Sequence, residues 1–229
     1  MHCLKRGQSL DITLLDLDET KTASYIHIKE GVIQVCLVST INHELFPIGF
    51  IGAESIKIEK IRLGEYSLRL EALNRVKFQI SPNDGCSKET DSVFNNRWLL
   101  ILCMIKSSIQ IEFRISRLIT ILIYFFGKRG KENYTLPFEL SHSQIALLVG
   151  CTRSTVTRQI GLMKEKGLVS SDKRNKEILV SERLMKQESV FIEHLQWMQS
   201  TSTTFAMATF PFRTFGFFTS LFLTKKGNA

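Results

Sequence analysis

The sequence predicts an α+β chain in which a strand-rich first part, a small sandwich or barrel, is followed by an apolar helical stretch and a winged helix-turn-helix. Three observations lead there. From Leu10 to about Ile80, apolar and β-branched runs of four to seven residues alternate with charged or glycine-containing breaks. From Val93 to Phe126 there is no proline or glycine, and Leu, Ile, Phe and Met dominate. Between Lys128 and Lys186 twelve lysines and arginines stand against six acidic residues, so this quarter of the 229 residues carries most of the net charge of +8. Such a surface attracts polyanions, either nucleic acid or an anionic membrane. Charge alone does not choose between them, but its concentration in one segment directs attention there.

The clearest strand candidates are residues 25–28, 31–38, 55–58 and 75–80, several of which alternate apolar with polar as a half-buried strand does. Strands this closely spaced suggest a sandwich or barrel in place of βαβ units. Ser81-Pro82-Asn83-Asp84-Gly85 is a dense turn signal near the end of this part. Residues 93–127 then read as one long helix or two abutting ones, buried in the core, against a second copy of the chain, or both. The apolar runs 98–105 and 118–126 are separated by Lys106, Glu112, Arg114 and Arg117, and neither approaches the roughly 20 residues that cross a bilayer.

Ser141, with Gln144 three residues on, forms a capping box that opens a short helix striped by Ile145, Leu148 and Val149. Gly150 ends it, since glycine accepts the positive φ of a helix terminus. Thr152 is a suitable N-cap for a second helix from Arg153, with Val156, Ile160 and Met163 on one face and Arg153, Ser154, Thr157 and Arg158 on the other. Two short helices joined by a glycine turn, the second polar and basic at its start, are what lets a helix enter the major groove of double-stranded DNA. Arginine suits guanine O6 and N7. Thr152, Thr155 and the positive helix N-terminus suit phosphates, and Ser141 completes the set at the first helix. Residues 167–171 and 177–180 flank Asp172-Lys173-Arg174-Asn175-Lys176, two strands around a basic tip. Lys173, Arg174 and Lys176 of this wing would lie over phosphates.

Five widely spaced cysteines (Cys3, Cys36, Cys86, Cys103, Cys151) without a Cys-x-x-Cys disfavour a disulfide framework or structural zinc and favour a reducing compartment. The first twenty residues carry charges throughout and do not read as a secretory signal. There is no glycine-rich phosphate loop, His-Glu-x-x-His or nucleophile elbow, and the five histidines stand apart. No catalytic residue, metal ligand or resident cofactor is therefore assigned, and an enzyme is not expected. Seven of the sixteen Phe fall in the last 25 residues. A membrane anchor there is disfavoured by Arg213 near its middle and by Pro211 and Gly216; a packed tail, or one without selected function, is the alternative. The expected domains are 1–90, a β-barrel; 91–127, the long helix; 128–190, the winged domain; and 191–229, the tail.

The stretch 140–180, with Leu-Ser-His-Ser-Gln-Ile-Ala, Val-Gly-Cys-Thr-Arg-Ser-Thr-Val-Thr-Arg and Lys-Glu-Lys-Gly-Leu-Val, resembles the winged helix-turn-helix of the Crp/Fnr family of bacterial regulators. Preceded by Ser116-Arg117-Leu118, it is most similar to the NtcA-like branch, the nitrogen regulators of cyanobacteria and their plastid-encoded red-algal relatives. The resemblance implies a cyclic-nucleotide-binding-like β-barrel (jelly roll), a long dimerisation helix and a winged domain that binds a palindromic promoter site as a homodimer. It implies RNA polymerase as a further partner, no membrane, and a location in the plastid (chloroplast) stroma if the red-algal likeness holds or in the cytoplasm otherwise. By resemblance Arg153, Ser154 and Arg158 fall on base-reading positions.

Regulators of that branch bind 2-oxoglutarate between barrel and long helix. Ile51-Gly52-Ala53 resembles their Phe-Gly segment, and Arg62 or Arg97 would supply a cation, so Ile51, Gly52, Arg62 and Arg97 are the effector candidates. The sequence departs from the pattern in having no acid between Arg97 and Ser108, and its first barrel strands look curtailed because Gly31 comes early. The N-terminal cysteine cluster of iron-sulfur sensors is missing.

Overall fold

A computed structural model describes residues 1–12, 23–53, 55–59, 65–82, 91–172 and 174–200. Arg62, Lys173 and the Phe-rich tail lie outside the described residues. Residues 1–192 make one compact unit; of the second, 193–229, only the end of a helix is described.

The strands of the first part are β1 (His2–Leu4), β2 (Ser9–Asp11), β3 (Ala23–Glu30), β4 (Ile33–Ser39), β5 (Leu45–Ile51), β6 (Ser55–Glu59), β7 (Tyr66–Ala72) and β8 (Val76–Pro82). They pair antiparallel in two sheets ordered β1-β8-β3-β6 and β2-β7-β4-β5, the strand order of a jelly roll. Alternation turns Ile26 and Ile28 of β3 with Val76 and Phe78 of β8 inward from one sheet, and Ile33, Val35, Ile51, Leu70 and Ala72 from the other, into a single core. The four strand candidates coincide with β3, β4, β6 and β8. The seemingly curtailed first strands are present as β1 and β2, three residues each at the sheet edges, too short to show a period. Pro47 is tolerated in β5 because that strand is also an edge, and a bulge there passes the register from Val35↔Gly49 to Cys36↔Pro47.

Of the two readings of residues 93–127 the structure has the second: α1 (Asp91–Lys106) and α2 (Ile111–Phe126). The break follows from a Ser-Ser pair that competes for the backbone of α1. The Ser107 hydroxyl donates to Met104 O (2.8 Å), Ser107 N–H to Cys103 O (2.9 Å) and Ser108 N–H to Ile105 O (3.3 Å). Gln110 is extended and starts α2.

Both helices return to the outer face of β5. Ile51 points into the core, so its neighbour Phe50 points away from it, toward Trp98 of α1 (ring centroids 5.1 Å). Trp98 stacks on Phe126 at the end of α2 (6.2 Å, 8° between planes), and Phe126 meets Phe138 in the segment entering the winged domain (6.1 Å). The backbone makes room for these rings: a Cβ on Gly49 would lie 2.7 Å from Trp98, and one on Gly52 3.1 Å from Phe126.

The winged part comprises β9 (Lys128–Arg129), β10 (Asn133–Leu136), α3 (His142–Val149), α4 (Arg153–Glu165), β11 (Val169–Asp172), β12 (Glu177–Ser181), α5 (Glu182–Gln187) and α6 (Ser189–Ser200). Its sheet runs β11-β12-β10-β9, so the two expected wing strands are backed by a pair that the sequence reading did not include.

Gly49→Ala should overpack the Trp98 contact and cost about 1–3 kcal/mol, read as a lower thermal midpoint with secondary structure retained. Gly161→Ala in α4, where a Cβ meets nothing within 4 Å, should be neutral or stabilise by up to about 1 kcal/mol through helix propensity.

Candidate nucleic-acid interface

The two helices that carry the candidate site are set by their ends. Ser141 Oγ accepts from Gln144 N–H (3.2 Å) while Gln144 Oε1 accepts from Ser141 N–H (2.9 Å), completing the capping box of α3. Gly150 takes φ 69°, where a side chain would be strained, and turns the chain toward α4. Thr152 caps α4: its Oγ accepts from Thr155 N–H (3.2 Å) and lies 2.9 Å from the hydroxyls of both Ser154 and Thr155. Val156, Ile160 and Met163 are buried, which fixes the rotation of α4. Arg153, Ser154, Thr157 and Arg158 are consequently exposed and Thr155 half-buried. Among the described residues neither the Arg153 nor the Arg158 guanidinium has a partner.

His142, unassigned by sequence reading because no other histidine is near, joins the two helices. Its Nδ1 lies 2.8 Å from Thr157 Oγ, whose own proton goes to Arg153 O (3.0 Å), so the ring nitrogen is the donor. The Thr157 hydroxyl is thus held within the protein. Ser141 is exposed, yet it faces a cleft shared with Arg6, Glu71 and Glu139, and its polar atoms serve the cap. Gln144 reaches the barrel from the same turn, donating to Gln34 Oε1 (3.1 Å) and Glu71 Oε1 (3.2 Å). Burial holds the Glu71 carboxyl above the usual carboxylate range against the opposing pull of Arg69 and of the Gln144 bond.

The wing tip is organised by Asp172, whose Oδ1 accepts from Arg174 N–H (2.9 Å) and Asn175 N–H (3.4 Å) and whose Oδ2 accepts from Asn175 Nδ2 (2.9 Å). This aspartate turn leaves Arg174 and Lys176 exposed, the latter at φ 54°. Its signal, an Asp three residues before an Asn in a polar loop, is present in the sequence.

The effector candidates sit elsewhere. Ile51 is 1% exposed within the barrel core, Gly52 lies under Phe126, and the Arg97 guanidinium is 4.3 Å from the centre of the Phe125 ring. Each packs on its own neighbours. Among the described residues no group of His, Cys, Asp and Glu could hold a metal ion, and no helix is long and apolar enough to cross a membrane.

Residues 116–186 match the Crp-like helix-turn-helix domain family. A stretch of 62 residues is 39% identical to the global nitrogen regulator of Nostoc sp. strain PCC 7120, covering 26% of this chain and 28% of that relative. Similar solved structures include a CRP-family transcriptional regulator from Thermus thermophilus (14% identity, TM-score 0.60, 82% of this chain and 95% of that one). FixK2 from Bradyrhizobium japonicum aligns at 11% identity and TM-score 0.59 over 81% and 94% of the two chains. A second regulator from Thermus thermophilus, of the CRP/FNR family, aligns at 14% and 0.58 over 84% and 97%. At these identities the structures speak for the fold.

Thr152→Ala removes the cap of α4 and should cost about 1 kcal/mol in denaturant unfolding, whereas Thr152→Ser should cost much less.

Proposed function

From a chain with a Crp-like helix-turn-helix domain at residues 116–186 and the fold of the CRP and FNR regulators around it, we propose a sequence-specific transcription regulator that binds a two-fold promoter site as a homodimer and responds to nitrogen status. The observation that carries the reading is α4, whose apolar side is buried and whose opposite side offers two guanidinium groups, without a partner among the described residues, beside a hydroxyl cluster. Arg153 and Arg158 present their forks to guanine edges with Ser154 beside them at a base-reading position, while Thr152 and Thr155 with the first N–H groups of α4 receive a phosphate. Arg174, Lys176 and Lys173 add phosphate contacts from the wing, which strengthen binding without reading sequence. Leu99 and Cys103, one turn apart and exposed on α1, give that helix an apolar strip for a second copy. The paired α4 helices would then meet half-sites about 34 Å apart. Nitrogen response rests on the identity with the nitrogen regulator; RNA polymerase as a partner, and a location in the plastid stroma if the red-algal likeness holds or in the cytoplasm otherwise, rest on the family resemblance alone.

A second reading concerns the effector. The packing of Phe126 on Gly52 and of Trp98 on Gly49 favours a barrel that supports the helices by contact, with 2-oxoglutarate not held between them. Titration calorimetry of the folded protein should give no heat at millimolar 2-oxoglutarate; a saturable heat would sink this second reading and leave the effector-controlled one.

Arg153→Ala and Arg158→Ala should each cost about 1–3 kcal/mol on a specific duplex and much less on a scrambled one, while Arg174→Ala and Lys176→Ala should weaken both duplexes alike and reduce the salt slope by about 1. Anisotropy titrations at two salt concentrations check this. Equal losses on both duplexes for Arg153→Ala and Arg158→Ala would remove α4 as the reading element.

A further inference from the structure

The four residues between α1 and α2 are gripped by two arginines of α2. Ser108 accepts at its carbonyl from Arg114 Nε (2.6 Å) and at its hydroxyl from Arg117 Nη1. The far side of each guanidinium ends in the winged domain. Arg114 Nη1 donates to the carbonyls of Val149 (3.3 Å) and Gly150 (3.4 Å), in the turn from which α4 starts. Arg117 Nε donates to Glu188 Oε2 (3.3 Å), a buried carboxylate whose other oxygen accepts from the Ser116 hydroxyl (2.6 Å).

A helix leaves its last carbonyls without internal partners and carries partial negative charge there, so a cation bonded to them is favourably placed. A guanidinium is also rigid: fixing its Nε edge on Ser108 fixes where its Nη1 can bond. The end of α1 and the start of α4 are therefore joined through one planar group. At its other end α4 is tied to α2 as well, by the pair Glu112 Oε1 and Lys166 Nζ (2.9 Å).

We infer that Arg114 is a positioning residue for DNA recognition: bonded at once to Ser108 and to the Val149 and Gly150 carbonyls, it sets α4 relative to α1, and so sets the separation at which the two copies of α4 in a dimer meet their half-sites. Arg114 touches no base. The inference rests on the dimeric DNA-binding reading above.

The test begins with a two-fold site that the full-length wild-type protein selects from random duplexes. Wild type, Arg114→Lys and Arg114→Ala are titrated on that duplex, on the same duplex with one half-site scrambled, and on duplexes with one base pair added or removed between the halves. Arg114→Lys keeps a cation at the end of α3 and loses the fork, which makes it the variant that folds as wild type does; thermal melts of both variants accompany the titrations. The two-fold duplex should bind about tenfold more weakly, the single half-site should stay within about twofold, and the penalty for altered spacing should shrink. Equal losses on two-fold and single duplexes, or an unchanged spacing penalty, would overturn the positioning role while leaving the DNA-binding reading in place. If wild type selects no site, or binds the two-fold and single duplexes alike, the dimeric reading fails and the inference fails with it.

Discussion

The architecture depends on two aromatic rings meeting a backbone that has no side chain in their way. Trp98 lies against Gly49 and Phe126 against Gly52, so the middle of α1, the end of α2 and strand β5 meet at one place. Phe50, on the outer face of β5, and Phe138, in the segment that leads to α3, extend the contact. Aromatic pairs of this kind contribute about 0.5–1.5 kcal/mol each beyond the area they bury, so several around one tryptophan fix an orientation that no isolated surface contact would. An α1–α2 pair folded back on itself brings the middle of α1 and the end of α2 to the barrel together, as one straight helix could not.

The rings supply adhesion, and the polar contacts supply geometry. Glu188 is only 6% exposed, and a carboxylate taken so far out of water is costly unless it is paired and hydrogen-bonded. Ser116 and Arg117 satisfy both of its oxygens, which ties the junction of α5 and α6 to one place on α2. The exposed pairs of Glu182 with Arg129 and with Lys186 have no such consequence, since solvent leaves them nearly free to come apart. The position of α2 over the winged domain is thus decided by a few buried or bridging contacts, and the numerous surface charges are left over for a polyanion.

What was legible in the sequence is what depends on neighbours within a turn. The capping box of Ser141 and Gln144, the positive φ of Gly150, the Thr152 cap and the stripe of Val156, Ile160 and Met163 each involve residues within a few positions of one another, and each is found in the structure. The break between α1 and α2 was half legible, because Ser107-Ser108 marks it only once the serine hydroxyl is seen to turn back on its own helix. Strands β1 and β2 were not legible, three residues being too few for a period. Arg114 and Gln144 have partners 35 or more residues away, and nothing local distinguishes a bridging arginine from one that merely interrupts an apolar run. Ile51, Gly52 and Arg97 resemble parts of a ligand site, but the local sequence does not reveal that Phe126 and Phe125 return to pack on the last two.

These contacts constrain how the DNA-reading helix could be controlled. A ligand shifts a conformational equilibrium only through a difference in its interaction with the two states. Moving α4 relative to the barrel would require Trp98 to leave Gly49, the Arg114 fork to break, or Gln144 to release Gln34 and Glu71. The first costs buried aromatic packing and the second costs bonds made by a cation to helix-end carbonyls. The third gives up only two neutral-amide bonds, and at Glu71, which is half-buried, water can replace the amide, while the buried Gln34 loses its bond. The bonds between α3 and the barrel are therefore where the winged domain would loosen first, with Arg114 still holding the start of α4 to the end of α1.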